Sequence, residues 1–395
     1  MINLRQMIML FLKIGLTSFG GYMALVAHIQ DNIVEKKKWL SREEFLDGLA
    51  LAQMLPGPTG PNVVTYVGQK LKGTLGAVAS VIAVIAPSFI LMVILSELYL
   101  RYRYLPQLEV FLAGVNPAVI ALLLVVAIRL VRQSIKGWKD MAVAAAGLVL
   151  AVFFKGNFAL VILIIGLLGV VVYRTNKEIP AAQAEKSSGG SEKPAEKGKE
   201  DQTGRLMAFL PLTAILAISP EVLVQLFVLF FKIGAVIFGG GYVMIPFIQK
   251  EVVDIHHLVT RREFVDGLAM GQATPGPIVI TAVFIGYKVA GLAGAVAAVT
   301  GIFMPSTIMV LVLGRYLPWL KQFSAARAFL KGIQAAIAGI LLFVAFSLGK
   351  TVITDLTGIG LLAAGFLLML WNKVDNVFII LGSGAAGLFL HFLTV

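Results

Sequence analysis

Two proline–glycine–proline motifs are the residues of this sequence best placed to do chemistry. Pro56, Gly57 and Pro58 interrupt one apolar segment, and a second motif interrupts another in the same way: Pro275, Gly276 and Pro277. Proline lacks an N–H group and its ring clashes with the preceding helical turn, so each motif should end one helix and start another. The first N–H groups of a helix have no partner and lie at the positive end of its dipole, which makes a helix start an anion site. A simple structural kink is the alternative interpretation.

The groups that could complete an anion site lie mostly in the first half of the chain. The N–H donors expected at the new helix starts belong to these residues: Thr59, Gly60 and Asn62 in the first half, and Ile278, Val279 and Ile280 in the second. Polar side chains near the breaks follow the same trend: Ser18, Thr59, Asn62 and Thr65 in the first half, and Thr281 in the second. We therefore expect the first half to supply most side-chain contacts of a substrate site.

Paired glycines and a lysine mark the first apolar segment of each half. The glycines are Gly20 and Gly21 in the first half, and Gly239 and Gly240 in the second. They predict either a second helix break that faces the first across the membrane midplane, or close packing of helices through small residues. Lys13 and Lys232 precede them on the same segments. These lysines either line an anion path or extend to the membrane surface.

Two further matched pairs of residues precede the proline motifs. Gln53 and Gln272 lie three residues before them and are included in the candidate substrate site. Asp47 and Asp266 lie earlier on the same segments, beside several charged residues. That setting favours an aspartate that is solvated or paired with lysine over one that carries a proton. The sequence shows no nucleophile–base pair, phosphate-binding loop or dinucleotide-binding motif.

The composition is that of a protein with many membrane-spanning helices. Of the 395 residues 58% are hydrophobic and 14% are charged, and the mean hydropathy is +0.90. A soluble domain carries about 25% charged residues, so cytosolic, secreted and disordered classes are excluded. The net charge of +12 is assigned to cytoplasmic loops that face anionic lipid, and no nucleic-acid partner is expected. With no cysteine and four histidines, no metal or other cofactor is expected.

The hydrophobic sequence is duplicated on either side of a charged linker. A shift of 219 positions aligns the glycine, glutamine and proline motifs, and about 20 of the 46 positions from 13 to 58 are identical. Residues 175–205 are rich in charged residues, proline, glycine and serine, and predict a flexible aqueous linker. The predicted domains are a first transporter repeat over 1–174, the linker, and a second transporter repeat over 206–395.

The positions of the basic loops predict that the two repeats are inverted. In the first half the basic loop lies near 129–139, after the fourth apolar segment, whereas in the second half it lies near 315–331, after the third. The positive-inside rule then places opposite faces of the halves in the cytoplasm. The expected fold class is an all-α polytopic membrane protein with two inverted-topology repeats, discontinuous helices and about 13 transmembrane segments. If the broken segments are re-entrant, about five crossings per repeat are the alternative; the 13-segment version leaves the lysines at 36–38 outside, against the rule.

Two long motifs recur in both halves. They read FGGYMALVAHIQ and WLSREEFLDGLALAQMLPGPTG in the first half, and FGGGYVMIPFIQ and LVTRREFVDGLAMGQATPGP in the second. These motifs resemble the chromate ion transporter (CHR) family in its two-domain form, and the similarity covers most of both halves outside the linker. The resemblance implies a secondary active transporter that exports chromate and confers chromate resistance. Sulfate, a dianion of similar shape, is an alternative substrate.

The expected location is the plasma membrane, as a multi-pass protein whose linker 175–205 is cytoplasmic. The expected partners are chromate or sulfate, the lipid bilayer and a coupling proton or counter-anion, while a homodimer is left open. A membrane-embedded lipid pyrophosphate phosphatase and a lipid flippase are the alternative functions. A phosphatase needs a serine or histidine and an arginine at its loop, whereas Thr59 is the hydroxyl residue beside the first proline motif. We therefore expect a transporter and not an enzyme.

Overall fold

The computed structural model describes residues 2–19, 22–134, 137–154, 158–173, 219–236, 238, 241–316, 324–371 and 374–394. The regular elements of these residues are all helices, as the sequence predicted. The linker 175–205 and the stretch 206–218 lie outside the described residues. So do four glycines of the candidate site: Gly20, Gly21, Gly239 and Gly240.

The helices follow one another in the same order in both halves. The first half contains α1 (Leu4–Thr17), α2 (Tyr22–Ile29) with a π-helical extension (Gln30–Lys36), α3 (Arg42–Met54), α4 (Thr59–Tyr102), α5 (Pro106–Ser134), α6 (Trp138–Phe153) and α7 (Phe158–Tyr173). The second half contains α8 (Pro220–Val236), α9 (Gly241–Gln249) with a π-helical extension (Lys250–Ile255), α10 (Arg261–Ala273), a 3₁₀ turn (Ile278–Ile280), α11 (Thr281–Leu313), a second 3₁₀ turn (Gly314–Tyr316), α12 (Ser324–Val352), α13 (Leu356–Trp371) and α14 (Asn376–Thr394).

Five of the described helices are long and apolar enough to cross a membrane, by length and composition. They are Thr59–Tyr102, Pro106–Arg132, Ile278–Leu313, Ala328–Val352 and Asn376–Leu393. Helices α13 and α14 expose large apolar side chains such as Leu356, Leu367 and Phe392. Exposed apolar surface of this extent is typical of a lipid-facing protein. The predicted all-α membrane protein is thus confirmed at this level.

The chain around each proline motif folds back on itself. Gly57 and Gly276 have φ angles of +97° and +104°, in the left-handed region that glycine adopts without strain. In the second half three residue pairs lie face to face across the turn: Gly271 with Thr281, Gly267 with Phe284, and Glu263 with Lys288. Because the members of each pair lie at similar distances from the proline motif, α10 and the start of α11 are antiparallel. In the first half Gly48 packs in the same way against Tyr66.

A second reversal follows within the long helices α4 and α11. Gly73 and Gly291 have φ angles of +65° and +53°, and helical geometry is lost there. Gly68 packs against Gly76 across the first of these turns. Each proline motif is therefore the tip of a short helical hairpin, which we name the first hairpin (residues 42–71) and the second hairpin (residues 261–289). The chain therefore reverses at both turns, where glycines allow it, and does not run on as the 13-segment version supposes; the number of membrane crossings stays a prediction.

In each half one helix packs against the last two helices of the other half. Helix α5 packs against α13 and α14, its counterpart α12 packs against α6 and α7, and α5 and α12 pack against each other. Glycines at these crossings leave no room for a Cβ atom, as at Gly114 against Gly387 and Gly169 against Gly332. Close approach through small residues is a general means of packing helices in lipid.

Helices α6 and α12 run in the same direction. Lys331 Nζ of α12 lies 3.2 Å from Asp140 Oδ1, near the start of both helices. Further along both helices, Gly147 packs against Ala336. Helix α6 begins four residues after α5 ends at Ser134. The start of α12 therefore lies on the same side as the end of α5, and these two equivalent helices point in opposite directions.

Candidate functional site

The helix breaks of one half lie against those of the other half. The N–H group of Gly276, in the second proline motif, donates a hydrogen bond of 2.8 Å to the carbonyl oxygen of Ser18, just after α1. The backbone of Pro56 forms an isolated antiparallel bridge to Phe238, just before the glycines of the second half. Each proline motif thus meets the end of the first helix of the other repeat.

Ser88 and Ser306, from the long helices α4 and α11, complete this junction. A Cβ atom at Gly57 would collide with Ser306, and one at Gly276 would lie 3.0 Å from Ser88 Oγ. Both serines are buried, and their hydroxyl groups donate to carbonyl oxygens of their own helices. The sequence analysis did not include these serines in the site. The sequence feature that could have indicated them is a Pro-Ser pair at equivalent positions of the two halves, which begins at Pro87 in the first and at Pro305 in the second.

Two of the predicted N–H donors are bonded within their own turns. The N–H group of Asn62 donates to the carbonyl oxygen of Pro58 at 3.1 Å, and that of Ile280 donates to Pro277 at 3.0 Å. The donor roles predicted for these two N–H groups are therefore wrong, because the first helical turn already uses them. The remaining predicted donors form no hydrogen bond to another described residue: Thr59, Gly60, Ile278 and Val279. Neither helix start has a side-chain cap.

The side chain of Asn62 forms a hydrogen bond across the first break. Its Nδ2 atom donates to the carbonyl oxygen of Pro56 at 3.1 Å, across the turn at Gly57. Its Oδ1 atom is buried and has no partner among the described residues. Buried polar atoms almost always have a partner, so this oxygen is suited to a donor from water or a ligand. The first break therefore offers both free N–H donors and one free acceptor.

Gln53 and Gln272 are half-buried on the hairpins just before the tips. Gln272 hydrogen bonds to Tyr242, at the start of α9. Arg129, near the end of α5, lies within electrostatic range of Tyr242 and donates from Nη2 to the carbonyl oxygen of Met369 at 2.9 Å. The sequence analysis counted Arg129 as a loop charge, whereas the structure places it half-buried near the second break. The sequence feature that could have indicated this role is the position of the charged Arg129 inside an otherwise apolar helix.

Lys13 and Lys232 lie on exposed faces of α1 and α8, opposite the buried faces of these helices. Near Lys13, the Thr17 hydroxyl lies 3.2 Å from Nδ1 of His28. The equivalent positions in the second half are Val236 and Phe247. A polar cluster therefore surrounds the first lysine and not the second.

Asp266 is buried and hydrogen bonds to two neutral side chains, contrary to the expected solvated or lysine-paired aspartate. Tyr99 Oη donates to Asp266 Oδ2 at 2.9 Å and Asn116 Nδ2 donates to Oδ1 at 3.0 Å. Burial raises the pKa of Asp266 above its ordinary value, although these two hydrogen bonds act to lower it. The matched Asp47 is half-exposed. The hairpins are thus alike in backbone and different in the solvation of their carboxylates.

Two segments of the chain, residues 5–170 and 224–388, match the model of a family described as chromate transporter. The chain belongs to the chromate transporter family. The two matched segments coincide with the two hydrophobic halves, so each half carries the features of the chromate transporter family. The predicted resemblance is confirmed.

Relatives support the family assignment over nearly the whole chain. A chromate transport protein of Cupriavidus metallidurans is 31% identical over 394 residues, which cover 98% of this chain and 93% of the relative. An uncharacterized transporter of Methanocaldococcus jannaschii is 30% identical over 381 residues, or 96% and 92% of the two chains. No solved structure matches the chain.

A shorter relative matches only one half. An uncharacterized transporter of Bacillus subtilis is 28% identical over 167 residues, which cover 42% of this chain and 94% of the relative. Members of the chromate transporter family are transport proteins, so the protein is a membrane transporter and not an enzyme. The phosphatase alternative is thereby excluded.

Proposed function

We propose that this protein is a secondary active transporter that exports chromate across the plasma membrane and so confers chromate resistance. The observation that carries the proposal is the first proline motif, which lies against the second repeat and where the N–H groups of Thr59 and Gly60 form no hydrogen bond to a described residue. Each of the two helix starts carries about half a positive charge. A tetrahedral dianion matches such a site in charge and accepts several hydrogen bonds at once.

The first half is proposed to supply the side-chain contacts. Thr59 is buried beside the first tip and can donate from its hydroxyl group, whereas the free Oδ1 of the buried Asn62 is an acceptor and can meet an oxyanion only through a water molecule. Ser18 contacts the second tip through its carbonyl oxygen. At the second tip Ile278 and Val279 offer only backbone N–H groups. One asymmetric substrate site fits this distribution better than two equal sites.

The direction of the helices supports an inverted arrangement of the repeats 1–174 and 206–395. Equivalent helices α5 and α12 point in opposite directions, and Ser134 and Ser324 therefore lie at the same face of the molecule. Both basic loops named above begin at this face, which the positive-inside rule assigns to the cytoplasm. Inverted repeats of this kind place the substrate at their interface, near the bilayer midplane.

The hairpins favour about five crossings per repeat over about 13 segments in total. With a re-entrant first hairpin, the loop at residues 36–41 lies on the same side as Ser134. The lysines at 36–38 then obey the positive-inside rule. Tyr173 ends α7 on this side as well, since its hydroxyl group donates to Asp140 Oδ1 at 2.6 Å. The linker 175–205 is accordingly proposed to be cytoplasmic.

The test is oxyanion flux in proteoliposomes that contain the purified protein. Chromate, sulfate and molybdate would be compared, with and without a pH gradient, so that substrate choice and proton or counter-anion coupling are measured together. We expect saturable chromate flux that sulfate inhibits. Absence of flux for all three oxyanions under every gradient would overturn the proposal. A homodimer, left open by the sequence, would be tested separately by the mass of the detergent-solubilised protein.

A further inference from the structure

Two equivalent lysines lie at the bases of the two hairpins and differ in their environment. Lys288 of the second hairpin is largely buried, and its Nζ atom lies 2.5 Å from Glu263 Oε2. Arg103 Nη1 binds the other oxygen of the same carboxylate at 3.0 Å. The positive charge of Lys288 is therefore neutralised within the protein.

Lys70 occupies the equivalent position of the first hairpin and has no such partner. Among the described residues no carboxylate lies within ion-pair distance of Lys70, whose ammonium group lies 5.7 Å from the ring centre of Tyr66. Glu44, the counterpart of Glu263, accepts from the N–H and hydroxyl groups of Ser41, much as Glu263 accepts from the N–H group of Thr260, and it interacts with Lys70 electrostatically without a direct ion pair. Lys70 is exposed, and its ammonium group makes no direct ion pair with a carboxylate of the described residues.

The side chain of Lys70 lines a cavity of about 290 Å³. The cavity is lined by Tyr66, Gln69, Lys70, Gly73, Thr74 and Gly314. Gln69 Nε2 donates to the carbonyl oxygen of Leu311 at 2.9 Å, which holds its amide group at the cavity wall. At about 30 Å³ per water molecule, this volume accommodates a hydrated tetrahedral oxyanion.

A larger cavity of about 440 Å³ lies at the base of the second hairpin, but its cations are paired. Lys288 is bound to Glu263, and Arg261 Nη2 lies 3.3 Å from Asp254 Oδ1. In the second repeat a carboxylate thus contacts the lysine directly, whereas Glu44 and Lys70 of the first repeat interact without direct contact. A carboxylate and an oxyanion recognise an ammonium group by the same charge-assisted hydrogen bonds.

We propose that the cavity around Lys70 is a port that binds the tetrahedral oxyanion before it reaches the helix breaks, and that Glu263 closes the equivalent port at Lys288. This inference rests on the proposed function. Under the proposed topology, Lys70 lies at the cytoplasmic face, where an exporter takes up its substrate. The phosphate of an anionic lipid headgroup shares this chemistry, and the experiment must separate it from a free oxyanion.

The first test compares Lys70→Gln with Lys72→Gln, which removes the same charge on the same turn but outside the cavity lining. Initial rates of chromate uptake would be measured in inside-out vesicles. For Lys70→Gln we expect the KM to rise about tenfold or more with little change in the maximal rate, as for loss of one charge-assisted hydrogen bond. Lys72→Gln should keep the wild-type KM. Equal KM values in all three proteins would overturn the port.

A second test detects binding without transport. The chain has no cysteine, so Thr74→Cys provides a single thiol in the cavity wall. In phosphatidylcholine vesicles, sulfate and molybdate, which do not oxidise thiols, should slow its labelling by a membrane-impermeant reagent, and Lys70→Gln should abolish this protection. Protection in a protein that moves no oxyanion would sustain the port and overturn the proposed function. Normal flux without protection would sustain the proposed function and overturn the port.

Lipid composition identifies the source of the anion. In vesicles that also contain phosphatidylglycerol, the thiol at position 74 should label as fast as in phosphatidylcholine alone when no oxyanion is added. Slow labelling that depends on phosphatidylglycerol and on Lys70 would assign the cavity to a lipid headgroup and overturn the proposal.

Discussion

Lys13 belongs to a polar cluster that the second half does not reproduce. Thr17 donates to the carbonyl oxygen of Lys13 and contacts His28, whereas Val236 and Phe247 take the places of Thr17 and His28 in the second half. Polar side chains at membrane depth are costly unless they face water or one another. The exposed face of α1 is therefore proposed to border a water-filled passage that leads to the helix breaks. Lys13 would supply the positive charge of this passage.

Substitution of Lys13 by glutamine should lower chromate flux about tenfold or more, because the approach loses its positive charge. Lys232→Gln is the matched control and should reduce flux less, since its surroundings are apolar. Flux in proteoliposomes would be measured at equal protein abundance. Unchanged flux in Lys13→Gln would assign this lysine to the membrane surface, and equal losses in both variants would indicate two symmetric sites.

At the scale of the element, the path of the first hairpin depends on two glycines with positive φ angles, one at its tip and one just after its end. Gly57 combines a φ of +97° with a contact so close to Ser306 that a Cβ atom does not fit. Gly73 has a φ of +65° but open space around it. The two positions therefore separate backbone strain from loss of the close approach at the junction.

Gly73→Ala should cost about 1–2 kcal/mol of stability, the strain of a left-handed residue with a Cβ atom, and should leave transport largely intact. Gly57→Ala should cost more, because it also displaces Ser306 and moves the first tip away from the second repeat, and chromate flux should be lost. Heat stability in detergent and flux in proteoliposomes would be measured for both. A Gly57→Ala protein that transports normally would show that the junction is not the substrate site.

The base of the second hairpin should make stability depend on pH. Burial acts to raise the pKa of Glu263, but the bonds from Lys288 and Thr260 outweigh it and lower this pKa below the ordinary value of 4.5. A lowered pKa means that the ionised carboxylate stabilises the fold above pH 4.5, and that this contribution is lost as the pH falls through the lowered pKa. We expect the heat stability of the detergent-solubilised protein to fall in this range.

Glu263→Gln should lower stability at neutral pH by about 2 kcal/mol or more, since Arg103 and Lys288 lose a shared carboxylate. It should also flatten the acid limb of the stability profile. Glu44→Gln is the matched control, because the pKa of Glu44 is lowered chiefly by the backbone N–H group of Ser41. If both variants respond to pH alike, the ion pairs of Glu263 do not account for the acid sensitivity.

At the scale of the molecule, the reciprocal packing of α5 and α12 makes each half incomplete without the other. Helix α12 fills the space between α6 and α7 of the first half, and α5 contacts α13 and α14 of the second. Each tip also contacts the end of the first helix of the other half. A substrate site at such an interface would be rebuilt whenever one half moves relative to the other, as alternating access requires.

Single cysteines test this arrangement, because the chain has none of its own. Ser134→Cys, Ser324→Cys and Lys37→Cys should all label from the cytoplasm, and Ile353→Cys from the outside. Labelling of Ser134→Cys and Ile353→Cys from the same side would show that the repeats are parallel. Labelling of Lys37→Cys from the outside would restore the version with about 13 segments, in which the first hairpin crosses the bilayer.

The sequence by itself determined the membrane setting, the helical class and the family. These properties depend on composition and on the order of residues, which a shift of one half over the other makes visible. It also located the tips, since Pro56, Gly57 and Pro58 stop a helix in any context. The helix starts with free N–H groups followed from local geometry alone, apart from Asn62 and Ile280, whose N–H groups their own turns use.

Only the tertiary structure decided how the chain continues after each stop. A proline–glycine–proline motif permits either a spanning or a reversing path, and the sign of φ at Gly57 and the packing of Gly48 against Tyr66 select the reversal. The contacts of Gly276 with Ser18, and of Lys288 with Glu263, join residues that no local pattern relates. Such pairings depend on how two distant segments approach each other in space, which the order of residues along one chain does not encode locally.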